Sequence, residues 1–295
     1  MTEGRQPSGR STANPPERLP EQRSERSAGH NGARKPYPMA LDLVAVLAIF
    51  VVSQLIGGLV KGRAETLWGA SVGAGTLIGY SVGMILTIAG VATVRLSGGG
   101  IRLPKRSYVG GVMPHSAIIL WGIVMCLAMS MVVEPLIDMM PQHYYDLLTQ
   151  AIGADGWAIV TTILVAPILE EVLFRGMVQE AVMRRWGGFA GIFTGSAIFA
   201  VVHGIPQQVI AAFFVSLAIG YVYMRTRSLV AVMVIHAFNN MLAYIQMSLS
   251  ADPAATMREL VGDARWYWIL YAISAALVAV SVVVIALSRP QVERK

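Results

Sequence analysis

Eight long apolar runs dominate this 295-residue sequence and constrain it to fold as a set of membrane-spanning helices. A hydrocarbon core about 30 Å thick needs about 20 apolar residues per helix, and the runs approach that length. They lack the alternation of apolar and polar residues that marks a membrane β-barrel. The runs cover 39–60, 70–96, 109–133, 157–182, 186–203, 207–224, 229–249 and 266–288. We therefore expect an all-α, polytopic membrane protein with about eight transmembrane helices.

Composition divides the chain into four regions. Residues 1–38 are rich in Arg, Ser, Pro, Glu and Gly and have almost no large apolar side chains, which predicts a disordered basic tail. Residues 39–133 contain the first three predicted helices, 157–249 the next four, and 266–288 the last. Within the third region, only Gly204-Ile205-Pro206 separates the two shortest runs, which predicts a tight helical hairpin.

The basic residues indicate how the chain is oriented in the membrane. The net charge is +6, but the positive residues are spread along the loops rather than gathered in one patch, so nucleic acid is not an expected partner. Most of the 23 Lys and Arg residues fall in the tail and in the loops that share its side of the membrane. The positive-inside rule therefore predicts that both termini are cytoplasmic, and we expect the membrane to be a bacterial plasma membrane.

Three of the apolar runs carry polar side chains that lipid would reject. They form the motifs Glu170-Glu171-Val-Leu-Phe-Arg175, Phe199-Ala-Val-Val-His203 and His236-Ala-Phe-Asn-Asn240. A charged side chain at mid-bilayer costs about 2.5–3.5 kcal/mol on insertion scales, so such groups normally face protein or a water-filled cavity. Glu, His and Asn together can supply a general base and donors to an oxyanion. The combination predicts an enzyme that works inside the membrane.

Helical spacing separates the roles of the two glutamates. Glu171 and Arg175 are four residues apart with the acid first, which is the favoured orientation for a helical ion pair. Neighbouring residues diverge by about 100° around a helix, so we expect Glu170 to serve a different purpose and to meet a group from another helix. Pro167, just upstream, is expected to kink this helix and to free backbone carbonyls near the site.

The imidazole and amide groups fit two kinds of chemistry. Phe199 lies one turn before His203, so its ring can shield the imidazole from lipid. His236 and Asn240 share one helix face and suit an oxyanion site, where a donor is worth roughly 3–4 kcal/mol in soluble proteases. The alternative is metal ligation by Glu170, His203 and His236, and spacing does not decide between the two because the ligands come from separate helices.

Other patterns in the sequence predict packing. Gly79-Tyr-Ser81-Val-Gly83 fits a nucleophile elbow, but that motif needs a strand-to-helix turn, and here it lies inside an apolar helix. Glycines four residues apart, in this run and again at Gly187, Gly191 and Gly195, favour close approach of membrane helices. The single cysteine, Cys126, has no predicted role beyond packing.

The ordered motifs over 170–240 resemble those of the CPBP family of intramembrane endopeptidases, which includes the CAAX proteases, the Abi or bacteriocin-processing proteins and Rce1-like enzymes. The resemblance implies a helical bundle with a polar intramembrane cavity and makes 157–249 a CPBP-like catalytic core. It implies the catalytic residues Glu170, His203, His236 and Asn240, supported by Glu171, Arg175 and Phe199. In that scheme the glutamate and first histidine activate a water, and the second histidine and the asparagine stabilise the oxyanion.

The resemblance implies hydrolysis of a peptide bond in a membrane-associated peptide or protein, with the lipid bilayer as the other partner. It leaves the cofactor open: none is required by a glutamate-type mechanism, whereas a metalloprotease-type mechanism would use zinc. Two other classes are alternatives. One is a non-catalytic immunity or scaffold protein that keeps the polar core, and the other is a transporter that uses Glu170 and His203 as a proton relay.

Overall fold

The structure is a computed structural model that describes residues 37–97, 116–140, 155–249 and 256–288. Throughout these ranges the regular secondary structure is helical and contains no strand. The helices are α1 (Ala40–Trp68), α2 (Val72–Ser97), α3 (Ser116–Asp138), α4 (Gly156–Trp186), α5 (Gly188–Val201), α6 (Pro206–Thr226), α7 (Leu229–Leu249), α8 (Met257–Val261) and α9 (Ala264–Leu287). The all-α prediction is confirmed, while the predicted disordered tail lies almost entirely outside the described residues.

Seven of these helices are long and apolar enough to cross a membrane: α1, α2, α3, α4, α6, α7 and α9. Together they make the chain an integral membrane protein. The apolar run at 186–203 differs from the others, because its helix α5 has only 14 residues and is about 21 Å long, shorter than a hydrocarbon core. The predicted hairpin is present: α5 ends at Val201 and α6 begins at Pro206.

Helix α4, which carries the two glutamates, is not a regular α-helix. It contains π-helical segments at Val160–Val165 and Glu171–Gln179, separated by the α-helical residues Ala166–Glu170. Pro167 lies between the two π segments; it has no N–H, and in a regular α-helix its ring would press on the preceding turn. The wider turns relieve that clash, and π segments inside α-helices occur frequently at functional sites.

The first turn of α4 is capped and docked against α2. The Asp155 carboxylate accepts hydrogen bonds from the backbone N–H groups of Trp157 and Ala158, at 3.0 and 3.1 Å, and from the Ser71 hydroxyl. The Ser71 hydroxyl and these backbone donors hold the pKa of the Asp155 carboxyl below its usual range. A side chain at Gly73 would overlap this carboxylate, so the glycine is needed for α2 to approach α4 here.

The predicted glycine contacts are present. A Cβ atom on Gly79 would lie 2.5 Å from the carbonyl oxygen of Gly57, so α1 and α2 meet backbone to backbone. A Cβ atom on Gly195 would lie 3.0 Å from Cβ of Gln179, which brings α5 against the second half of α4. Close packing of α2 beside α4 brings Tyr80 to Glu170, and close packing of α5 brings Phe199 against Phe174 of α4.

Candidate active site

A buried ion pair forms the centre of the site. Nη1 of Arg175 lies 2.7 Å from Oε1 of Glu171, and both side chains are at most 1 % exposed. Nη2 of Arg175 donates to the Ser216 hydroxyl at 2.9 Å, and the guanidinium lies 4.8 Å from the centre of the Phe199 ring. Charges this deeply buried are tolerated only when paired and hydrogen-bonded. The predicted Glu171–Arg175 pair is confirmed, whereas the contribution of Ser216 from α6 was not predicted.

His236, on α7, lies between the two glutamates. Its Nδ1 is 2.7 Å from Oε1 of Glu171, and its Nε2 is 3.7 Å from Oε2 of Glu170. A carboxylate only accepts, so Nδ1 carries a hydrogen and donates to Glu171. The two glutamates therefore lie at opposite nitrogens of one imidazole, a shared contact that the sequence did not predict. Their side chains leave α4 about 100° apart, but a planar ring with a nitrogen on each side can reach groups on two faces of a helix.

Glu170 is the accessible acid of the site. Its side chain is 14 % exposed, whereas that of Glu171 is fully buried. Its Oε1 accepts a hydrogen bond of 2.5 Å from the Tyr80 hydroxyl, and its Oε2 faces His236. As predicted, Glu170 meets a group from another helix. Tyr80, however, was not identified from sequence; its only signal was its place beside the glycines that let α2 pack closely.

The Phe199 ring of the second motif packs against residues of the other two motifs. Its buried ring packs at 4.8 Å from the His203 ring and at 5.8 Å from the His236 ring, measured between centroids. Nδ1 of His203 lies 2.8 Å from the Phe199 carbonyl oxygen and donates to it, because a carbonyl only accepts. In the neutral imidazole, Nε2 of His203 then has a free lone pair. Phe199 therefore packs against the imidazoles of both histidine motifs, and His203 is oriented by its own helical turn.

Asn240 is tied to the backbone of α4. Its amide nitrogen donates to the Thr162 carbonyl at 3.0 Å. That carbonyl would be an acceptor for residue 166 or 167 of α4, but the Ala166 N–H bonds instead to Thr161 and Pro167 has no N–H. The prediction that Pro167 frees a carbonyl near the site is borne out by this contact. It holds Asn240 and leaves one hydrogen of its amide for another acceptor.

The donor set does not fit a three-ligand metal site in this arrangement. Among the described residues, no three His, Cys, Asp or Glu side chains are grouped so that they could hold a metal ion. Catalytic zinc sites generally use three protein ligands, and the described residues do not bring three together here.

Comparison with known proteins identifies the region that holds these motifs. The family model for type II CAAX prenyl endopeptidases of the Rce1-like kind matches residues 153–242, which contain all three motifs but less than half of the chain. No curated protein and no solved structure matches the sequence. Tyr80 and the helices α1–α3 and α9 fall outside the matched segment. Residues 153–242 of this integral membrane protein are therefore similar to the Rce1-like type II CAAX prenyl endopeptidases.

Proposed function

We propose that this protein is an intramembrane endopeptidase that hydrolyses a peptide bond in a membrane-associated protein or peptide. The observation that carries the proposal is the placement of Glu170, a partly exposed acid whose Oε2 lies 3.7 Å from Nε2 of His236 inside a family-matched helical core. Two groups at this separation leave room for a bridging water. The match to a family model of endopeptidases supports the general class, and the geometry of the site supports the choice of residues.

In the proposed reaction Glu170 takes a proton from a water molecule while the water oxygen attacks the peptide carbonyl carbon. Nε2 of His203 orients that water by accepting its second hydrogen. His236, in its imidazolium form, and the remaining amide hydrogen of Asn240 stabilise the oxyanion. Glu170 then gives its proton to the leaving nitrogen as the carbon–nitrogen bond breaks, which regenerates the carboxylate.

Glu171, Arg175 and Phe199 support this reaction without meeting the substrate. Glu171 accepts from Nδ1 of His236 and so fixes the orientation of the imidazole, as a carboxylate does in a catalytic triad. Arg175 neutralises Glu171 in an environment that would otherwise reject the charge. Phe199 packs against both imidazoles and against Phe174, with ring centroids 5.0 Å apart in the Phe174 contact. The rings limit the rotation of both histidines.

The proposal is tested by comparing new protein amino termini in membranes of cells that carry wild type, Glu170→Gln or Glu65→Gln at equal abundance. Glu65 pairs with Lys61 on α1 and is a matched control for the loss of one carboxylate. We expect the same new termini with wild type and Glu65→Gln, and none of them with Glu170→Gln. Those termini would also identify the substrate. Identical profiles for wild type and Glu170→Gln would refute the proposal and favour a scaffold.

We also propose that both termini lie in the cytoplasm of a bacterial cell, with the protein in the plasma membrane. Termini on one side require an even number of crossings, so in this topology the short helix α5 crosses a locally thinned bilayer as the eighth span beside the seven long helices. The distribution of the 23 Lys and Arg residues supports this orientation through the positive-inside rule. Fusing alkaline phosphatase or a fluorescent protein to each end tests it, because the first is active only outside the cytoplasm. Phosphatase activity from either terminal fusion would overturn the proposed topology.

A further inference from the structure

Tyr80 lies outside the matched segment but contacts a glutamate inside it. Its hydroxyl donates to Oε1 of Glu170 at 2.5 Å, across 90 residues of sequence. It comes from α2, which lies outside 153–242. We infer that Tyr80 is a positioning residue for the reaction: it holds the Glu170 carboxylate so that Oε2 faces His236 and the water. This inference rests on the proposed function.

The packing of α2 fixes Tyr80 in place. Gly79 faces α1, where its backbone meets Gly57, and the next residue along the helix points about 100° away from that contact. The Tyr80 ring packs against an apolar cluster that includes Leu173, Phe174 and Phe199 of the catalytic helices. Because both the backbone and the ring are held, the hydroxyl is presented to Glu170 without further loss of rotamer entropy.

The hydrogen bond from Tyr80 also determines which oxygen of the Glu170 carboxylate is available to accept the proton from water. A carboxylate has two equivalent oxygens, and in a wide polar cavity either one could take the proton from water. Here Oε1 is occupied by Tyr80, while Oε2 lies 3.7 Å from Nε2 of His236. Holding a base in its reactive orientation lowers the entropic part of the barrier. Tyr80 therefore leaves Oε2, the oxygen that faces His236, to take the proton from the water.

The test measures how fast wild-type-dependent amino termini appear in cell membranes at equal protein abundance. Hydrogen bonds to a charged group contribute about 1.5–3 kcal/mol, so Tyr80→Phe is expected to slow cleavage roughly 10- to 100-fold. Replacing Tyr80 with 4-aminophenylalanine, which keeps a donor at the same ring position, should restore most of the rate. Tyr221→Phe is the matched control, because its hydroxyl donates to the Val282 carbonyl at 3.1 Å and contacts no site residue.

Each outcome decides the inference. A slow Tyr80→Phe variant that melts at the wild-type temperature, is rescued by the amino analogue and differs from Tyr221→Phe supports the positioning role. Wild-type cleavage by Tyr80→Phe overturns it, as does failure of the amino analogue to recover more activity than phenylalanine, since the ring shape alone would then matter. If wild type releases no termini beyond those of Glu170→Gln, the proposed function itself fails and the inference falls with it.

Discussion

Removing the Arg175 side chain should destabilise the protein far more than removing an arginine from an exposed ion pair would. Arg175→Met leaves Glu171 fully buried without its cationic partner and removes the hydrogen bond to Ser216. Breaking a buried pair from one side costs about 3–5 kcal/mol, because the remaining charge keeps its desolvation penalty. Replacing both members with apolar residues removes that penalty, so Glu171→Leu combined with Arg175→Met should recover most of the lost stability.

The double variant should regain stability without regaining cleavage activity. The double variant folds well but lacks the carboxylate that orients His236, so we expect it to be inactive in the amino-terminus assay. Thermal unfolding in one detergent gives the order of stability, with Arg175→Met lowest. The reasoning is refuted if Arg175→Met unfolds at the wild-type temperature, or if the double variant is less stable than Arg175→Met.

Three further predictions concern the elements around the site. Asn240→Ala leaves the partly buried Thr162 carbonyl without its donor and should cost about 1–3 kcal/mol in unfolding, with a drop in cleavage. Gly57→Val must separate α1 from α2 and should cost about 1–3 kcal/mol, whereas Gly58→Val, with nothing within 4 Å, should be close to neutral in a melting experiment. The folded state lowers the pKa of Asp155, so its contribution to stability is present above about pH 4 and is lost as pH falls through the folded value. Asp155→Asn should therefore melt below wild type at pH 7, and the difference should shrink as pH falls below about 4.

The sequence by itself determined the features that depend on local spacing. The length of the apolar runs predicted membrane helices, and four-residue spacing predicted the Glu171–Arg175 pair, since one helical turn brings such residues together. Pro167 predicted a free carbonyl because it has no N–H, and Asn240 now occupies that carbonyl. These predictions hold wherever the helix is placed, because they follow from the geometry of a single element.

Tertiary structure alone decided which groups meet across helices. Tyr80 reaches Glu170 across 90 residues, Ser216 reaches Arg175 across 41, and His236 lies between both glutamates. Such contacts depend on the tilt, rotation and depth of neighbouring helices, which are set by the fit of their surfaces rather than by the period of one sequence segment. The proposed choice of the reactive oxygen on Glu170 therefore depends on the packed bundle, since it requires α2, α4 and α7 at once.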